Sequence, residues 1–517
     1  MNPPPATASG SEQPSVRPIA QAVGMAVIAI LPPFLTGAMA IRIRADLGFG
    51  PAALGVAVAW FFLVSSSCST FLGSVVERLG TRRSLTVGAL ASTTTLTGLS
   101  LVPSYPVLLL VFVCGGFANA ITQPAVGKLL SSRIPPRRLG FAFGIKQSAI
   151  PAATLLGGLL VPTLAVAIGW RGTFATMGAI AFLLAILAWR SDDHASSRPT
   201  LGTGLRARDM PEFRSLVILS AGGGLGAAAS TSLGGFLVVS AVDSGIAEAS
   251  AGLLMAAASI IGLTSRITLG WYMDLRPTRS RYGWISGLLF IGVPGYLLLS
   301  TGIAPAYVAG AALAYGGGWA WAGLFHYAAV SQNPAAPAAA TGVVQVGSSL
   351  GGALGPLSFG FIAERFGYIT AWWSAALLSL LAGSVFLIGR AHLRRVRRST
   401  SAAHLREIDG LDWRHLEFER VDDAVRIAHR TTDNLQVTLY RLEPGGVLDA
   451  PPATRTGVML NLGAGTVSLR IGGHDLVADP GEHLPMPASR RWLLSNGADT
   501  DATVAHVHHL WSTNNGS

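Results

Sequence analysis

Apolar residues run through most of this chain in long blocks. Twelve stretches of about 20 or more mostly apolar residues lie near 18–40, 52–76, 84–103, 106–130, 140–167, 171–190, 214–240, 247–272, 284–302, 305–330, 338–362 and 368–390. Short turns rich in arginine and glycine separate them. About 20 such residues suffice to cross a bilayer as a helix, and in lipid each segment must satisfy its own backbone. The pattern predicts an all-α membrane protein of twelve transmembrane helices, with six-helix halves at 18–190 and 214–392 joined by a central loop at 191–213. After 392 the pattern changes. A basic segment at 393–430 reads as a hinge, and over 431–517 short alternating runs such as LQVTLYRL, VSLRI and TVAHVHHLW sit between turns such as EPGG, LGAG and DPGEH. That alternation predicts a small all-β domain.

Composition agrees with a membrane protein. Half of the 517 residues are hydrophobic and 12% are charged, where a soluble chain carries about 25%. The net charge of +11 is uneven: residues 1–399 hold 27 Lys/Arg against 11 Asp/Glu, and the rest hold 10 against 15. The arginines form no continuous basic face, so nucleic acid is not an expected partner. They sort by turn instead. Four (Arg42, Arg44, Arg171 and Arg365) fall in odd-to-even turns, whereas nineteen fall in even-to-odd turns, the central loop and the exit from the last helix. By the positive-inside rule both termini, the central loop and the β domain face the cytoplasm, in an inner (plasma) membrane. Residues 1–17, rich in Pro and Ser, predict a disordered tail without the basic start of a cleaved signal. Cys68 and Cys114 lie inside apolar runs, as buried free thiols do.

The two halves repeat. Gly73 and Gly270 are 197 residues apart, as are Glu77 and Asp274. Gly144 and Gly342, Gln147 and Gln345, and the starts of GWRGTF at 169 and GYITAW at 367 are each 198 apart. Parallel repeats with a substrate site between them are a transporter architecture. At the first copy, Gly73, Glu77, Arg78, Gly80, Arg82 and Arg83 fill the pattern G-x-x-x-D-R-x-G-x-R-R/K, with Glu for the usual Asp. In this the chain resembles the major facilitator superfamily over about 18–392. The second copy keeps Gly270, Asp274 and Arg279 but has Pro277 in its turn. The glycines allow a tight turn and close helix approach, and the acid can meet arginines or the positive N-terminal end of a neighbouring helix. Such contacts form in one rocking state and break in the other, so these residues are the expected gate.

Cations inside the spans set the expected cargo. No Asp or Glu lies near the middle of any span, whereas Lys146 and Arg266 lie within the fifth and eighth spans, with Lys128 and His326 towards the cytoplasmic ends of the fourth and tenth. An ionisable residue within a span is a functional candidate by default, and this sign suits an anion. Arg266 stands in RITLGWYMD, which resembles the substrate-contacting helix of monocarboxylate and oxalate carriers; GIKQSAIPAATLLGGLLVP, with Lys146 and Gln147, is similar to cyanate-permease-like members. Gln345, Asn119, Gln123 and Trp321 complete the expected substrate site. The expected function is secondary active transport of a small organic anion, such as a carboxylate, as a symporter. No G-x-x-x-x-G-K-[ST] phosphate loop is present, and neither catalysis nor a cofactor is expected. A multidrug or amphiphile exporter, and a transceptor signalling through its β domain, are the alternatives. That domain resembles a cupin barrel, but DAPPAT stands at the first metal-ligand site and Trp492 where a late His would be. A non-catalytic module for a small ligand or protein partner is expected there, with no metal.

Overall fold

The computed structural model describes residues 16–134, 138–190, 212–275, 281–333, 337–409 and most of 417–509. The expected tail, most of the central loop and Arg279 lie outside the described residues. The first half contains α1 (Val16–Ala38), α2 (Ala40–Leu47), α3 (Pro51–Leu79), α4 (Thr81–Ser100), α5 (Tyr105–Arg133), α6 (Leu139–Gln147), α7 (Ala149–Leu160) and α8 (Val166–Arg190). The second contains α9 (Phe213–Asp243), α10 (Glu248–Leu275), α11 (Arg281–Leu299), α12 (Ala304–Leu313), α13 (Trp321–Ser331) and α14 (Pro337–Asp409).

Among the described residues, eight helical stretches are long and apolar enough to cross a membrane. Two of these, Leu139–Arg190 and Ala339–Val396, run for 52 and 58 residues, far beyond the ~20 that a span needs. Each is broken at a glycine that no L-residue would replace without strain: Gly169 has φ 71° and ψ 173°, and Gly367 has φ 82° and ψ 166°. Their 198-residue separation and near-identical geometry show the repeat in the backbone. Gly80, between α3 and α4, adopts the same conformation (φ 81°, ψ 164°).

Two helices are irregular for local reasons. Val161–Ala165 forms a π turn at Pro162, and Ala314–Gly318 forms another that ends in three glycines, whose backbone is the least restrained. The halves meet where α1 packs against α9, α3 against α14, and α6–α7 against α10 and α13. Small residues let backbones touch there. A Cβ on Gly158 would lie 2.5 Å from the Gly252 carbonyl, one on Gly270 would lie 2.3 Å from that of Gly140, and one on Gly55 would lie 2.3 Å from that of Pro356.

After its last apolar residues α14 continues as helix to Asp409, so the first part of the expected hinge is helical. The ten strands are β1 (Glu419–Asp422), β2 (Val425–Thr431), β3 (Leu435–Leu442), β4 (Val447–Ala450), β5 (Gly457–Asn461), β6 (Val467–Ile471), β7 (His474–Ala478), β8 (His483–Met486), β9 (Trp492–Asn496) and β10 (Ala502–His509). They begin inside the expected linker. Two antiparallel sheets, ordered β1-β2-β3-β10-β5-β8 and β4-β9-β6-β7, share one apolar core that includes Tyr440, Met459, Leu469, Trp492 and Val504. Trp492 fills this interior, edge-on to Tyr440 and His506. The side chains of His483 and His508 lie outside the described residues. Among the described residues no three His, Cys, Asp or Glu gather as metal ligands.

Candidate functional site

Arg266 shows how the seam is built. The glycine at 144 brings α6 so close to α10 that a Cβ there would sit 2.7 Å from the Arg266 carbonyl. Pro151 lies four residues beyond Gln147 and has no N–H, so the Gln147 carbonyl loses its helical donor. Arg266 Nη1 donates to that carbonyl. Its Nε and Nη2 donate to the carbonyl of Trp319 at 3.1 and 2.7 Å, just past the π turn. The guanidinium also lies 5.4 Å from the centre of the Trp319 ring, within cation–π range. The side chain is 2% exposed, and among the described residues no carboxylate pairs with it. Arg266 was expected to offer its charge to an anion. In the structure its donors are taken up by backbone, joining α10 to α6 of the first half and to the segment leading into α13.

Lys146, one residue before Gln147, is placed differently. Its Nζ lies where a Cβ on Gly127 of α5 would meet it at 3.1 Å, and it has no hydrogen bond or ion pair among the described residues. Next to it runs a chain of polar groups through both halves. Gln147 Nε2 and His326 Nδ1 are 3.3 Å apart, His326 Nε2 and Gln345 Oε1 are 3.0 Å apart, and Gln345 Nε2 donates to Ser349 Oγ at 3.1 Å. His326 Nδ1 also lies 3.0 Å from the Ala322 carbonyl, so its tautomer depends on which neighbour takes the proton. Four expected site residues thus come together: Lys146, Gln147, His326 and Gln345.

Three others do not join them. Asn119 Nδ2 donates to Ser65 Oγ at 2.8 Å and Gln123 Nε2 to Asn119 Oδ1 at 3.2 Å, a separate chain within the first half. Trp321 stands apart as well. It is 1% exposed, gives its Nε1–H to the Gly318 carbonyl, and packs against Phe325 and Phe386 as part of the core.

The expected gate residues are half engaged. Asp274 at the end of α10 accepts the backbone N–H groups of Gly140 and Phe141, both at 2.8 Å, at the start of α6. A carboxylate there satisfies orphan donors and faces the positive end of the helix. α10 therefore holds α6 at both ends, by Asp274 and by Arg266. Beside it, Arg281 lies over the Tyr327 ring at 4.6 Å and donates to its hydroxyl at 3.2 Å. Tyr327 follows His326 on α13. The first copy of the pattern is open by contrast. Glu77 is exposed, and no atom lies within 4 Å of a Cβ built on Gly73 or on Gly342 of α14. Arg82 rests over Trp189 at 5.5 Å, while Arg78 and Arg83 are exposed.

At the opposite, arginine-poor end the structure adds a latch that the sequence reading missed. Glu364 Oε2 accepts the Ala52 N–H at 2.7 Å, capping the start of α3 as Asp274 caps α6. Its surroundings, GFIAERFG at 360–367, repeat the spacing of GSVVERLG at 73–80. Gly360 packs on the Pro51 carbonyl as Gly270 packs on Gly140. Nearby, Arg42 of α2 forms a two-pronged ion pair with Glu248 of α10 at 2.8 and 3.2 Å. Among the described residues, two such side-chain links join the halves at this end, and the Asp274 link joins them at the arginine-rich end.

Comparison with known proteins agrees with this architecture. The sequence pattern of the Major Facilitator Superfamily matches residues 19–341. Human monocarboxylate transporter 11 is 29% identical over 304 residues, which is 53% of this chain and 61% of that protein. The chain thus spans about three-fifths of that relative's length. The multi-drug resistance efflux pump PmrA of Streptococcus pneumoniae is 29% identical over 134 residues, 26% of this chain and 33% of the pump. A crystal structure of a bacterial homolog to the human lysosomal transporter Spinster covers 75% of this chain and 98% of its own, with a TM-score of 0.56 at 16% identity. That likeness speaks to fold.

Proposed function

The chain belongs to the major facilitator superfamily, and from that premise we propose that it carries a small organic anion, a carboxylate, by alternating access. The family moves solutes across membranes and performs no covalent chemistry on them, so the chain is not an enzyme. Lys146 is the observation that carries the reading on cargo. An ammonium without a carboxylate partner among the described residues stands beside Gln147, His326 and Gln345, which belong to both halves. A cation within a span costs about 2.5–3.5 kcal/mol, and an anion that brings the missing charge offsets that cost. The amide N–H groups of Gln147 and Gln345 can turn toward the same ligand. The name of the human relative, a monocarboxylate transporter, points to the same class.

The remaining assignments follow from the same reading. The two broken stretches, with the irregular α6–α7 and α12–α13 pairs, fit twelve spans in two halves of six. With the arginine-rich end in the cytoplasm, the conformation is sealed outside and partly open inside. Asp274 on α6 and Glu364 on α3 are the latches of the two ends, and Glu77 awaits a matching helix start on α14. Proton symport would run through His326 or through the cargo itself. The β region is a cupin-like cytoplasmic module that binds a small ligand or a protein. The match to PmrA favours one second reading, export of amphiphilic drugs.

A thermal-shift screen of the detergent-purified chain separates the two readings. Small monocarboxylates should stabilise the wild type and fail on Lys146→Gln. Stabilisation by lipophilic cations, unchanged in that variant, would establish the exporter instead.

A further inference from the structure

A cavity of about 350 Å³ lies at the arginine-poor end, away from Lys146, on the seam between the halves. Arg44 comes from the first half, and Asp243, Glu364 and Tyr368 come from the second. The charges across it are only partly spent. Arg44 uses Nε on the Phe49 carbonyl, and its two terminal nitrogens remain. Glu364 uses Oε2 on Ala52 and keeps Oε1. Asp243 pairs with no cation among the described residues. Tyr368 is 8% exposed, and its hydroxyl lies between Arg44, which it engages, and Asp243. Val239 and Val242 give the cavity an apolar wall.

We propose that this cavity is a second ligand site, built for a small aliphatic zwitterion of the α-amino acid type, and that filling it staples the two halves shut at this end. The ligand carboxylate meets the terminal nitrogens of Arg44 and the Tyr368 hydroxyl. Its ammonium meets Asp243 and the spare oxygen of Glu364, and its side chain lies on the two valines. A plain carboxylate leaves both acids unanswered, and a plain amine leaves the arginine unanswered. Glu364 is also the latch on α3, so a bound ligand and the closed state favour each other.

The test uses the full chain in detergent, titrated with L-leucine, 4-methylpentanoate and 3-methylbutylamine, read by melting temperature and calorimetry. Leucine should bind, each singly charged analogue at least about tenfold more weakly. Asp243→Asn, which removes an exposed carboxylate that makes no ion pair among the described residues, and Arg44→Gln should each weaken leucine about tenfold or more. Lys146→Gln should leave it unchanged, so this site and the carboxylate site fail separately. If Arg44→Gln does not fold, Asp243→Asn decides alone. No response to leucine overturns the proposal. So does equal binding of an analogue, or binding that survives Asp243→Asn.

Discussion

Arg266→Ala should damage folding before it damages recognition. The substitution leaves the carbonyls of Gln147 and Trp319 without their donors. At about 1–3 kcal/mol for each buried group left unsatisfied, the two cost about 2–6 kcal/mol. Removing a buried, unpaired cation returns part of this, so the net loss lies toward the lower end. Pro151 makes the loss hard to repair, because no backbone N–H can return to the Gln147 carbonyl. The assay is the melting temperature of the purified variants, with and without a stabilising carboxylate. Arg266→Ala should melt several degrees below the wild type, and Arg266→Lys between them, since one ammonium cannot span both carbonyls as the guanidinium fork does. Whatever protein remains folded should still gain stability from the carboxylate. An Arg266→Ala protein that melts with the wild type but has lost all response to carboxylate would refute the clamp and make Arg266 a ligand to the cargo.

Three further outcomes follow from the geometry. Gly270→Val puts a Cβ within 2.3 Å of the Gly140 carbonyl, so it should hold α6 and α10 apart and abolish uptake at normal expression; uptake near the wild-type rate counts against this seam. Glu364→Gln keeps an acceptor for the Ala52 N–H but removes the charge facing the helix start, a loss of about 0.3–1 kcal/mol. It should raise labelling of a cysteine at Val239 by an impermeant maleimide, and Asp274→Asn should instead raise labelling of one at the buried Ala142 of α6, with unchanged rates counting against the latches. The purified full chain should carry no stoichiometric tightly held transition metal by elemental analysis, and one metal per chain would revive an enzymatic reading of the β region.

Much of this was legible in the sequence because it depends on spacing and charge. The 198-residue interval between Gly169 and Gly367 pointed to a repeat, and the two residues share one rare backbone conformation. Gln147, His326 and Gln345 are polar side chains inside apolar runs, and the structure joins them. Arg266 was visible as a buried cation, but its partners were not, because backbone carbonyls have no letter in the sequence. Pro151 was the one hint, since a proline strips the donor from the residue four before it. Trp321 could have lined a cavity or filled the core, and composition does not tell these apart; in the structure it packs on Phe325 and Phe386. The GFIAERFG latch was readable by spacing, but it lies at an arginine-poor turn and lacks the paired arginines that mark the basic copy at 82–83.

The central claim is that Lys146 binds the cargo's carboxylate, and flux through proteoliposomes tests it most directly. Purified wild type and Lys146→Gln would be reconstituted side by side and loaded with unlabelled lactate, with entry of labelled lactate measured by counterflow. The account predicts lactate accumulation by the wild type, suppressed by other small monocarboxylates and indifferent to lipophilic cations, and none by Lys146→Gln at equal incorporation and melting behaviour. Equal accumulation by both proteins would contradict it.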